Sequence, residues 1–199
     1  MDFNFNLDKG QSFNLSKDAG LDNIRVELRW NGDADLDVEA FLLDDGGTIT
    51  RPEDFVFYNS ECREVPFDKA VHGNKRKWLA SVPPMSADGA VKGSLDVREG
   101  GAEVMHLNLM KVDPDISEID ITASIHEGGT FKDVANASIA IIDEDADKEL
   151  CRYELNEDFT NETAIVAGAF IVNEDGDWSF KAVGNAYEGG LQALVNLFI

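Results

Sequence analysis

Apolar and polar residues alternate with a period of two along most of the chain, the pattern of half-buried β-strands. Asn23 to Trp30 is the cleanest case. Ile24, Val26, Leu28 and Trp30 fall on one face, and Arg25, Glu27 and Arg29 on the other. Leu36 to Leu43 is more continuously apolar, which predicts a strand covered on both faces. Asp44-Asp-Gly-Gly47 predicts a hairpin turn, and Asp54 to Asn59 a short strand or strand end. Further strands are predicted over 103–109, 119–125, 137–142, 150–155, 163–172 and 178–183, with acidic turns at 143–147 and 174–177. After Gly189-Gly190, Leu191, Leu194, Val195 and Phe198 share one helical face, which predicts a short C-terminal helix.

The pattern runs through two similar rounds. LSKDAGLDNIRVELRW opens the first and LMKVDPDISEIDITASI the second, and DLDVEAFLLDDGGTI is echoed by NASIAIIDEDADKEL. The expected fold is all-β: a two-sheet β-sandwich built from two similar halves, with short helical segments including the C-terminal one. Residues 1–199 are read as a single domain. Residues 61–85 break the pattern, with Arg63, Lys69, Lys75, Arg76 and Lys77 among Pro66, Pro83 and Pro84. They are read as an inserted loop or arm, long enough to suspect function.

Charge narrows the partners. Among 199 residues, 39 are acidic and 17 basic, a formal net charge of −22. Such a surface repels phosphate, so nucleic acid and anionic membranes are poor partners, no nucleic acid is expected, and cations are favoured. No apolar run is long enough to span a bilayer, and the N-terminal residues lack the basic and apolar regions of a secretory signal. Cys62 and Cys151 form no CxxC motif and are read as reduced thiols of a cytoplasmic protein.

The sharpest local chemistry is Asn31-Gly-Asp-Ala-Asp-Leu-Asp37. In extended backbone Asp33, Asp35 and Asp37 share a face, where three like charges repel unless a counter-ion relieves them. Ca²⁺, which takes six to eight oxygens in flexible geometry, suits such a cluster. The spacing is not an EF-hand. Val38 stands where that loop needs glycine, and Leu43 and Asp44 stand about its closing Glu position. On the triplet alone, an ion site and a solvated acidic loop remain equal readings. His72, His106 and His126 show no HxxxH or HExxH spacing, and no GxSxG, P-loop or dinucleotide fingerprint is present. No carboxylate pair is singled out for acid–base work, so no enzymatic activity is expected.

Several ordered motifs resemble the TerD family of tellurium-resistance and calcium-binding stress proteins. They are Asp35-Leu-Asp37 after Trp30, Asp54-Phe-Val-Phe-Tyr-Asn59, Arg152-Tyr-Glu-Leu155, Glu162-Thr-Ala164 and Gly168. The series continues with Trp178, Phe180, Ala182-Val-Gly184, Tyr187 and Gly189-Gly-Leu191. The resemblance runs from about Leu15 to Phe198, apart from the basic insertion. It implies a β-sandwich holding calcium in loops at one end. The family's second acidic motif aligns best with 88–104, placing Asp96 and Glu103 at two of its acidic positions. Val97, Gly101 and Ala102 replace other acidic or amide residues of that motif. The ligand set is therefore expected to be Asp33, Asp35, Asp37, Asn59, Asp96, Glu99 and Glu103, holding one Ca²⁺ rather than two, with reduced affinity.

The expected function is a non-enzymatic calcium-binding protein of the tellurite and stress-resistance type, working with other proteins of a stress-resistance complex. The alternative is a metal-free interaction or scaffold module that uses the sandwich surface and the basic arm.

Overall fold

The computed structural model describes residues 5–15, 21–95, 101–127, 129–155 and 159–199. In chain order the strands are β1 (Phe5–Leu7), β2 (Ser12–Asn14), β3 (Asn23–Asn31), β4 (Asp35–Leu43), β5 (Phe55–Val56) and β6 (Val91–Gly93). They continue as β7 (Ala102–Asn108), β8 (Glu118–Glu127), β9 (Ala135–Asp143), β10 (Lys148–Glu154), β11 (Ala164–Val172) and β12 (Trp178–Tyr187). Three short helices are α1 (Lys69–His72), α2 (Lys75–Leu79) and α3 (Gly190–Phe198). One sheet runs β1-β10-β9-β3-β7-β6 and the other β2-β12-β11-β8-β4-β5.

The repeat in the sequence is a repeat in space. β3 and β8, the paired openings of the two rounds, sit at corresponding places in opposite sheets, and so do β4 and β9. β5 then pairs with β4 as β10 pairs with β9. The order β9-β3-β7-β6 in one sheet matches β4-β8-β11-β12 in the other. The halves differ in that the chain reaches the outer strand β6 before β7 but the inner strand β11 before β12.

Between the sheets, Ile24, Val26, Leu28 and Trp30 of β3 join Leu36, Val38, Ala40 and Leu42 of β4 and Ile119, Ile121 and Ala123 of β8 in one buried cluster. The two outer faces differ. On the first sheet Glu27 accepts from Arg25 (2.7 Å) and Arg29 (2.6 Å), and Glu149 accepts from Arg29 (3.1 Å) and Arg152 (2.8 Å). This solvated lattice explains the strict alternation of Asn23 to Trp30. On the second sheet Phe41, Leu43, Ala164 and Val166 lie under Leu194 and Phe198 of α3. β4 is therefore covered on both faces, as its apolar run predicts. Gly168 is obligatory at the β11 bulge, because a Cβ there would come within 2.3 Å of the Phe180 ring and 2.9 Å of the Lys181 carbonyl oxygen.

Two local readings are refined. Residues 54–59 are mainly turn: a 3₁₀ turn at Pro52–Asp54 leads into the two-residue strand β5. Residues 61–85 carry α1 and α2, capped by the side chains of Asp68 and Asn74. Arg63 is not one of the arm's free cations. Its buried guanidinium donates to the carbonyls of Ser60 (2.8 Å) and Leu79 (3.0 Å), and also to those of Tyr58 and Val82. It lies 5.4 Å from the centre of the Trp78 ring. One side chain thus ties the outgoing leg of the arm to its return.

Candidate metal centre

The acidic segment is organised by the edge of β4. β8 flanks β4 along its length, whereas β5 pairs only with Ala40 and Phe41 on the other side. Upstream of Ala40 that edge needs another acceptor. Glu103 supplies it. Its Oε2 accepts from the Val38 backbone N–H at 2.8 Å. Glu103 comes from β7, in the opposite sheet, and points inward with Met105 and Leu107. A carboxylate 65 residues away in sequence thereby lands between Asp37 and Glu39.

Asp37 and Glu39 lie on the outer face of the second sheet, opposite Ser124 and Thr122. Glu39 is fully buried. Thr122 donates to its Oε2 at 2.7 Å, and Ser124 donates to its Oε1. Burial pushes the Glu39 carboxyl up to about 8. The two hydroxyl donors oppose that rise, while the charges of Asp37 and Glu103 add to it. Asp37 is 6% exposed, and its Oδ2 lies 3.8 Å from Nδ1 of His126. A register shift in β8 places Asp35 opposite Glu127 but Leu36 opposite Ile125. His126 is the extra residue, and this bulge sets it beside Asp37.

The predicted ligands separate into groups. Glu103 bonds the backbone N–H next to Asp37, and the charges of both acids reach Glu39, with Asp35 half-buried two residues away on the same strand. Asn59 is exposed; its neighbour Tyr58 meets His126 edge-on at 5.7 Å between ring centres, so this loop borders the cluster. Asp33 is exposed and lines a different recess, with Arg29, Trp30 and Arg152. Asp96 and Glu99 lie outside the described residues. In sequence they fall between β6 and β7, whose described ends are joined by the Ser94 N–H donating to the Val104 carbonyl (2.8 Å). Among the described residues, no three His, Cys, Asp or Glu side chains form a ready-made ion site.

Glu39 is the acid of this candidate cluster that sequence reasoning did not name. The signal was present, since it continues the alternation of Asp35 and Asp37 by one more step. Asp54, by contrast, is structural. Fully buried, it accepts from Arg51 (2.8 Å) and Thr50 (3.0 Å), and Arg51 also reaches Asp113 (3.0 Å). Phe55 beside it stacks between Phe41 (4.3 Å) and Phe57 (4.2 Å).

These features define a class: an acidic double-sheet sandwich, covered by a helix on one outer face, with carboxylates from both sheets meeting at one strand edge. The TerD domain family model matches residues 3–198, and the chain belongs to that family. It is 34% identical to general stress protein 16U of Bacillus subtilis over 197 residues, covering 93% of this chain and 92% of that one. It is 31% identical to the tellurium resistance protein TerD of Serratia marcescens over 203 residues, covering 94% and 93%. A solved homologue of telluride resistance protein TerD from Streptomyces coelicolor superposes with a TM-score of 0.62 at 21% identity, covering 88% of this chain and 95% of that one.

Proposed function

We propose that this chain is a non-catalytic calcium-binding protein of the stress-resistance type, acting in the cytoplasm beside other proteins of a resistance complex. The observation that carries the reading is the arrival of Glu103 at Val38, which crowds carboxylates from both sheets at one edge. The donor chemistry fits: hard carboxylate oxygens suit Ca²⁺, while the nitrogen and thiolate ligands that favour zinc are few here. Asp35, Asp37 and Glu103 would supply the described part of the shell. Asp96, Glu99, Asn59 and backbone carbonyls are the further candidates. Bound Ca²⁺ would neutralise the cluster and tie the two sheets together at that edge. Glu39 serves as a positioning residue, since both its oxygens accept from hydroxyls. The relatives named for tellurium resistance and general stress support the biological setting. The free thiols Cys62 and Cys151 support a reducing compartment.

Calorimetric titration of Ca²⁺ into chelator-treated protein tests this. Saturable binding is expected, lost in Asp37→Asn plus Glu103→Gln. Absence of heat at millimolar Ca²⁺ would overturn the reading. It would favour the alternative of a metal-free interaction module, which the exposed Val65, Phe67 and Val71 on the arm support.

A further inference from the structure

The arm and the body of the sandwich enclose a second concave site, away from the first-sheet recess that Asp33 lines. A cleft of about 680 Å³ opens between them. Lys75, Arg76 and Leu79 of α2 line the arm's side; Tyr58, Asn59, Pro84 and Leu95 line the rest. Its size is that of a pocket for one small organic molecule, and most of these side chains are apolar or aromatic.

Two features make the cleft more than a gap beside a loop. The first is rigidity. Arg63 donates to the carbonyls of two lining residues, Tyr58 and, on the arm's side, Leu79. The return leg is fixed too, since the Gly93 N–H donates to the Pro84 carbonyl at 2.9 Å and Arg63 bridges Pro84 in antiparallel register. At Gly93 a Cβ would lie 2.8 Å from the Pro84 ring, so the glycine lets this leg pack closely on β6. The walls are therefore preformed, and a ligand need not organise them.

The second feature is charge. Residues 61–85 hold five basic and three acidic side chains, whereas the rest of the chain holds twelve and thirty-six. Lys75 is engaged by Glu61. The exposed Arg76 has no ion pair among the described residues. A cation facing an apolar hollow, in a protein otherwise so negative, selects for an anion with an apolar body.

We propose that the cleft between the arm and the sandwich binds a small organic anion with an apolar or aromatic body, its acid group held by Arg76, with Lys75 beside it in its pair with Glu61, and its body resting on Leu79, Pro84, Leu95 and Tyr58. The cleft also touches Asn59, a candidate calcium ligand, so its test is run in chelator, where the two proposals can fail separately. The probes are 8-anilinonaphthalene-1-sulfonate and its uncharged counterpart N-phenyl-1-naphthylamine, followed by fluorescence. The sulfonate should bind the wild-type protein saturably at one site. Its affinity should fall at least tenfold in Lys75→Glu plus Arg76→Glu, while the uncharged probe changes less than twofold. Both positions are exposed, and an unchanged melting temperature checks that the variant is folded. Lys132→Glu, a charge reversal on an exposed lysine elsewhere, should leave sulfonate binding intact. Absence of saturable one-site binding, or an equal loss in Lys132→Glu and the arm variant, would overturn the proposal.

Discussion

At the scale of single residues, the outer face of the second sheet hides acids that sequence alternation marks only as polar. Asp120 of β8 is 6% exposed, and its Oδ1 is buried without a hydrogen-bond partner. Burial, the charge of Glu118 and a shared hydrogen bond with Glu118 hold its carboxyl well above the ordinary carboxylic range. The sign follows from linkage. The folded state keeps a proton that the unfolded chain releases above about pH 4, so this group's contribution to stability falls as pH rises from there towards its raised value. Asp120→Asn should flatten that fall, and urea unfolding at pH 5 and pH 8 measures it. An unchanged pH slope in the variant would contradict the assignment. The sequence could not reveal this acid, because the strand that buries one face and the helix that covers the other are both remote in the chain. Asp37 was legible from the alternating triplet, and Glu103 from the resemblance. The resemblance put both in one ligand set, but the bond from the Val38 N–H to Glu103 was not legible, because it depends on β5 being too short to cover the β4 edge.

At the scale of elements, the longer strands, whether alternating or continuously apolar, were legible to within a few residues: β3, β4, β7, β8, β9, β10, β11 and β12. β1, β2 and β6 were not. Each has three residues, too few to establish a period. The basic segment 61–85 was legible as a break in the strand pattern but not as two helical turns, since α1 and α2 have four and five residues, held by their caps and, at Leu79 of α2, by Arg63 rather than by propensity. The C-terminal helix was legible in both face and place. Phe198 is 5% exposed, and its ring lies 4.6 Å from that of Phe41. Phe198→Ala should cost roughly 3–5 kcal/mol, the range for emptying a buried aromatic site. A loss below about 1 kcal/mol in urea unfolding would mean that α3 does not hold the outer face of β4.

At the scale of the whole molecule, a net charge of −22 opposes compaction. The Arg–Glu lattice on the first sheet relieves part of this locally, but the β4 edge instead gathers acids from both sheets. A divalent cation placed there would act on the entire fold through mass action. At a hundredfold excess over its dissociation constant it adds about 2.7 kcal/mol, or roughly 5–10 °C in melting temperature for a chain of this length. The most direct measurement is a crystal structure from calcium-rich solution, with the ion located by its anomalous scattering. The account predicts one Ca²⁺ bound by oxygens of Asp37 and Glu103 at about 2.3–2.6 Å. An ion bound only at the Asp143–Asp147 or Glu174–Asp177 turns, with Asp37 and Glu103 left bare, would contradict it.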